Sequence, residues 1–171
     1  MRGAAFVGAA GIAAAIGFLL LTGVAGGPIG MLPGGRLSGD AAGRSAPDLG
    51  RLGSLETIEI QVRPDRPRSV TTWVVVVDSA VHIPADFMLP FKRWPHLVLE
   101  DPRVTLRIDG FLYPGRATRV ESASRITELR LAVAAKYDVA PDSLAASSDV
   151  WFFRVDFPAP PASASTSDRP M

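Results

Sequence analysis

Two adjacent cations and a tryptophan, Lys92, Arg93 and Trp94, open the stretch KRWPHLVLEDPRVTLRIDG at residues 92–110. Cations at the start of a helix suit an anion such as a cofactor phosphate. The first turn carries partial positive charge on its free amides, and charged donors strengthen each bond. Pro95 takes one of those amides away. The same pair also reads as ordinary solvated surface, where exposed charges contribute little. Other chemistries find fewer residues. Cysteine is absent, which excludes disulfides, thiolate nucleophiles and cysteine-ligated metals. His82 and His96 stand alone, without carboxylates at ligand spacing, so no metal site is expected. No GxSxG, HExxH or GxGxxG motif occurs, and Glu100-Asp101 reads as a helix end and a turn, not an acid/base dyad. GGRLSG at residues 34–39 lacks the preceding strand and the lysine of a phosphate loop. Arg103, Arg107, Arg116 and Arg119 could align on one hairpin as a wet basic face, with a phosphate or lipid-headgroup patch as the second reading.

Composition bounds the partners. The 171 residues carry a formal net charge of +1, which argues for neither a nucleic-acid footprint nor an acidic, solvating chain, and no nucleic-acid partner is expected. No charge falls between Arg2 and Arg36, and the apolar run at residues 4–25 reaches the roughly 20 residues that a membrane-spanning helix needs. Its rival is a cleaved signal peptide with a small-residue site near GVAGG, though such peptides usually have apolar cores of roughly 7–15 residues. The favoured reading is a single-pass anchor in a bacterial-type cell membrane, contacting lipid through residues 4–25, with the following domain on the outer side. Residues 1–27 are thus the anchor, and the Gly- and Pro-rich residues 28–53 read as a flexible linker. Residues 54–157 form the folded domain, and PAPPASASTSDRPM within 158–171 a disordered tail.

Within the domain the dominant period is two, and six strands are expected. LETIEIQV alternates as a half-buried strand. SVTTWVVVVDS is apolar on both faces at Val74 to Val77, as one central strand would be. Asp78-Ser79 turns the chain into AVHIP. A short helix with Pro95 in its first turn precedes RVTLRID, and Asp109-Gly110 signals a hairpin into FLYPGRATRVES, interrupted at Pro114-Gly115. From Ser124, read as an N-cap, Ile126, Leu129, Val133 and Tyr137 mark one amphipathic helix. DVWFFRVDF is the last strand. The fold class is therefore mainly β (α+β): a six-stranded barrel with one amphipathic and one short helix, preceded by a single transmembrane helix.

The order RSVTTWVVVVDSAVHIPADF, KRWPHLVLEDPRVTLRIDG, YPGRATRVES resembles the pyridoxamine 5′-phosphate oxidase-like, FMN-binding split β-barrel superfamily, including its deazaflavin-dependent nitroreductase-like branch. The resemblance covers roughly residues 56–157 and rests on the order of elements. It implies an FMN or deazaflavin site shared between two copies of the chain, hence a homodimer. Arg68 would contact the phosphate, Lys92 and Arg93 would stand in the basic loop with Trp94 beside them, and the ring would lie along Thr71, Thr72 and Trp73 to Val74. The serine or glycine common beside the loop cation is replaced here by Trp94-Pro95. Catalytic side chains are not implied, because the cofactor would carry the chemistry. Two functions follow: an oxidoreductase acting by hydride transfer, or a non-catalytic envelope module on the same fold that binds a ligand or a protein.

Overall fold

The computed structural model describes residues 26–30, 32–43, 46–85, 92–140 and 150–158. The apolar run at 4–25, on which the anchor reading rests, lies outside the described residues, as does the tail from 159. Among the described residues no helix is long and apolar enough to cross a membrane.

The described elements run β1 (Asp40–Ala41), α1 (Leu49–Ser54), β2 (Thr57–Val62), β3 (Arg68–Trp73), β4 (Val75–Val77), β5 (Ala80–Ala85), α2 (Trp94–Glu100), β6 (Arg103–Ile108), β7 (Phe111–Arg119), α3 (Ala123–Tyr137) and β8 (Trp151–Asp156). Seven strands hydrogen-bond in the order β3-β2-β6-β7-β8-β5-β4, and β1 adds a short parallel pairing to β7. The expectation of six strands is corrected at Val74, where the run from Arg68 to Val77 breaks in two. The Val74 N–H donates to the Tyr137 hydroxyl (3.0 Å), and its carbonyl accepts from Lys136 Nζ (2.7 Å). An N–H committed to the end of α3 cannot also donate to the ladder.

That break explains the barrel. β3 and β4 lie at opposite ends of the strand order, yet Trp73 and Val75 are two residues apart, at most about 7 Å along the chain. The sheet must curl until its edges meet. They meet without ladder pairing; the Thr72 hydroxyl donates weakly to the Pro84 carbonyl across the seam (3.4 Å). The result is a mainly β split barrel with few helices.

Other readings fare variously. Asp109 and Gly110 both have positive φ (50° and 86°), the two-residue turn that the sequence signals between β6 and β7. β7 runs through Pro114-Gly115 without interruption. β8 pairs only with Arg116–Arg119, so Pro114 has a single ladder neighbour and its missing N–H is tolerated. The cap of α3 is Ser122 and not Ser124: Ser122 holds the extended backbone that a cap requires, and its hydroxyl accepts from the Arg125 N–H. α2 forms as expected, with proline in its first turn.

Apolar side chains fill two regions. Inside the barrel, Ile60, Ile83, Leu106 and Phe153 pack with Trp94 and Val98 of α2 and Leu52 of α1. Beneath α3, Leu129 and Val133 cover Val75, Val150 and Phe152.

The stretch read as a linker is built onto the barrel across its described length. Arg107 is paired with Glu59, and its Nη1 also donates to the carbonyls of Gly26 and Ser38 (2.8 Å each). The Leu37 N–H donates to the buried Gln61 side chain (2.8 Å), and Gly34 and Ser69 exchange two backbone bonds (2.9 and 3.0 Å). Gly34 lies so close to Gly27 that a Cβ would stand 2.0 Å from the Gly27 carbonyl, so glycine is required there. α1, unforeseen in the sequence, is capped by Asp48 and buries Leu52.

Candidate functional site

Of the seven predicted site residues, four lie on β3 and three at the entry to α2. Along β3, side chains alternate. Arg68, Val70 and Thr72 oppose Val62, Ile60 and Ile58, all core residues, and so face the barrel interior. Ser69, Thr71 and Trp73 face outward. Arg68 and Thr72 therefore share one face of the strand, and Thr71 and Trp73 the other.

Arg68 is the chemically notable member. It begins the edge strand at the seam, and its Nε is buried with no hydrogen-bond partner among the described residues. Leaving a buried donor unpaired costs about 1–3 kcal/mol, and more for a charged group. The hydroxyl of fully buried Ser69 is likewise without a partner, on the outward face.

At the other end of β3, Trp73 stacks on Tyr137 of α3 (centroids 4.3 Å apart, planes at 10°) while keeping 39% of its surface exposed. The Tyr137 hydroxyl donates to the Glu56 carbonyl (2.6 Å) and accepts from the Val74 N–H. Burial raises the Tyr137 pKa and lowers that of Lys136, Glu56 opposing the latter shift. Both ends of the Val74 peptide are thus committed to α3, which leaves Thr71 and Thr72 as the part of the predicted ring contact with other bonding open to it.

Lys92 is half-buried and Arg93 exposed, immediately before α2. Arg93 is the N-cap residue, and its side chain makes no capping bond. Trp94 is 2% exposed and tilts against Phe153 (5.4 Å) inside the barrel, anchoring α2. His96 meets the edge of Trp151 (5.0 Å), and the Arg119 guanidinium lies over the same ring (3.8 Å). Sequence spacing contained that signal: Arg116 and Arg119 are an odd number of residues apart, so one strand cannot present both on one face. The basic face expected on the β6–β7 hairpin is therefore divided. Arg103 and Arg116 oppose each other outward, with Arg103 held by Asp101 (2.7 Å) and Asp65 (3.2 Å). Arg107 is enclosed with Glu59, and Arg119 turns inward with Phe153.

A cavity of about 250 Å³ opens among Gln61, Pro64, Arg103, Val104, Thr105, Pro114 and Gly115. It includes none of the seven residues, and it is below the roughly 300 Å³ at which small-molecule sites begin. Among the described residues no three His, Asp or Glu side chains converge as a metal site. His82, sequestered at 1% exposure, donates from Nδ1 to the Ala80 carbonyl (3.1 Å). Burial first and the Arg125 charge second hold its pKa below the usual value.

No protein-family model matches this chain, and no curated protein matches it in sequence. Solved structures do match. A conserved hypothetical protein of Mycobacterium tuberculosis superposes with a TM-score of 0.54 at 15% identity, over 70% of this chain and 86% of its own. The heme storage protein HutZ of Vibrio cholerae gives 0.52 at 13% identity, over 64% and 87%. An FAD-binding protein of Mesorhizobium loti is similar more loosely, at 0.47 and 16% identity, over 64% and 86%. Likeness at such identities is likeness of fold: the chain is a split barrel of the same architecture as the first two.

Proposed function

We propose that this chain is a membrane-anchored split-barrel protein that binds a flavin or deazaflavin by its phosphate at the Arg68 end of the barrel seam, and that the loaded protein is an oxidoreductase working by hydride transfer. The observation that carries the reading is the buried, unpartnered Nε of Arg68 on the edge strand. A phosphate oxygen there would accept a charge-assisted bond and remove the cost of the orphaned donor. Lys92 and Arg93, before α2, would add positive charge, and the Thr71–Thr72 edge would position the ring. Trp73 and Trp94 support that frame from either side, through Tyr137 and Phe153. The bound cofactor supplies the hydride chemistry; the chain's residues bind it, orient it and exclude water. A second copy of the chain would share the site, as the family resemblance implies. Residues 4–25 would anchor the assembly, with the barrel on the outer side.

The second reading, a non-catalytic envelope module, is favoured by one specific observation. The Val74 peptide, where the ring would lie, is fully used by Tyr137 and Lys136. Titrating the full chain in detergent with FMN and, separately, with a deazaflavin distinguishes the two. Uptake of one cofactor, weakened about tenfold or more by Arg68→Ala with an unchanged far-UV spectrum, is the expected result. Uptake of neither removes the cofactor reading and leaves the module.

A further inference from the structure

The outer face of the sheet carries a cavity that the Arg68 site leaves unused. Gln61, Thr105 and Pro114 stand side by side across β2, β6 and β7, and with Arg103, Pro64 and Gly115 they line about 250 Å³. Gln61 is the decisive wall. It is only 6% exposed, and its Oε1 accepts from the Leu37 N–H (2.8 Å). That donor must meet the oxygen and not the nitrogen, so the amide cannot be turned over, and Nε2 is the atom left for the cavity. Nε2 makes no bond among the described residues. Ser69, across the ladder from Gln61, does not take it, for its own buried hydroxyl is without a partner as well. Two further donors stand beside it. Asp101 and Asp65 occupy Nε and Nη2 of Arg103, which leaves Nη1. The Thr105 hydroxyl is also open among the described residues. Acceptors are scarce: the Pro64 carbonyl already receives Arg36 (3.4 Å). Arg116 opposes Arg103 and adds a second cation on this face.

We infer that this cavity binds a short carboxylate. The head sits among Gln61 Nε2, the Thr105 hydroxyl and Arg103 Nη1, and a branched apolar body lies against the rings of Pro64 and Pro114. An ionised carboxylate only accepts, at about four positions on its two oxygens, so it can meet all three donors at once. The bond from Arg103 is charge-assisted. A neutral amide of the same shape would bring N–H groups with little to receive them. Size sets the class. The cavity equals the liquid volume of about eight waters, too little for a cofactor or a drug-sized molecule. A free acid as small as isovalerate fits, and so does the terminal valine of a peptide, which presents the same chemistry. The site is independent of the cofactor reading and stands or falls without it.

The chain has one glutamine and no asparagine, so the NMR spectrum of nitrogen-labelled protein holds a single side-chain carboxamide, that of Gln61. The full-length chain in detergent is titrated with isovalerate and, separately, with isovaleramide. The expected result is a saturable shift of the Gln61 amide pair with the acid and binding about tenfold or more weaker with the amide. Arg103→Met should weaken the acid about tenfold. Thr105→Val, which removes no bond of the fold, should weaken it several-fold and leave the rest of the spectrum in place. A peptide ending in valine that binds more tightly than the free acid, and loses the effect when its end is amidated, assigns the carboxylate to a chain terminus. A silent peptide beside an active acid assigns it to the free acid. No saturable shift from acid or peptide, or an equal response to acid and amide, overturns the site.

Discussion

The barrel wears two coverings, and they hold by different physics. α3 lies over the outer faces of β4, β5 and β8 and buries Leu129 and Val133 against Val75, Val150 and Phe152. The Gly26–Ala41 strap pairs with the free edge of β3 at Ser69 and crosses the outer faces of β2 and β6, and among its described residues one apolar side chain is buried, Leu37. Directional bonds do the rest: Arg107 to Gly26 and Ser38, Gln61 to Leu37, Ser69 to Gly34. Apolar burial tolerates small shifts and scales with area, whereas a polar attachment depends on a few atoms and fails when one is removed.

The sharpest way to break the comparison is Leu129→Ala, which should cost about 3–4 kcal/mol in denaturant unfolding by emptying a fully buried site. Hydrogen exchange in the strap should stay as in the wild type below the unfolding transition. Next comes Arg107→Ala, which leaves Glu59 partly buried without its partner and frees two strap carbonyls. The pair's side chains are each 22% exposed, so about 2 kcal/mol is expected, below the value for a fully buried pair. Here the strap amides should exchange faster while α3 amides keep their protection; protection retained in the strap would refute the polar account of its hold. Tyr137→Phe, at about 1–2 kcal/mol, removes the acceptor for the Val74 N–H and tests the helix end that splits β3 from β4.

The smallest effect is a pH slope. The folded pKa of His82 lies below its unfolded value, so as pH falls through the ordinary histidine range the unfolded chain takes up the proton first. Stability is complete above that range and declines below it, and melting should occur at lower temperature near pH 5 than near pH 7. His82→Asn can keep the donation to Ala80 without titrating, and should flatten the slope. Asp101, held down to about 2 mainly by its hydrogen bond from Arg103, acts in a separate window. Its contribution is present above the ordinary carboxylate value and lost only as pH falls toward 2.

The two coverings also mark what could be read in advance. Ile126, Leu129, Val133 and Tyr137 repeat at helical spacing, so α3 announced itself, with its cap displaced by two residues. Asp109-Gly110 announced its turn, and Val104, Leu106 and Ile108 their buried face. The strap carries no period. Its glycines and prolines look like a linker because its partners, Gln61, Ser69 and Arg107, are supplied by distant strands. Of the candidate site, the residue types and their elements were legible. That Arg68 faces inward with an unpaired Nε depended on register, and that Trp94 is core depended on how α2 docks.

Local pattern set the periodic elements, β2, β6, α2, α3 and β8, and the turn at Asp109-Gly110, since propensity and alternation act over a few residues. Contacts between residues far apart in the chain decided the rest: the break at Val74, the closure of the barrel, the anchoring of the strap and the division of the arginines between faces. A hydrogen bond from Val74 to Tyr137, or from Arg107 to Gly26, spans more than sixty residues and leaves no periodic trace at either end.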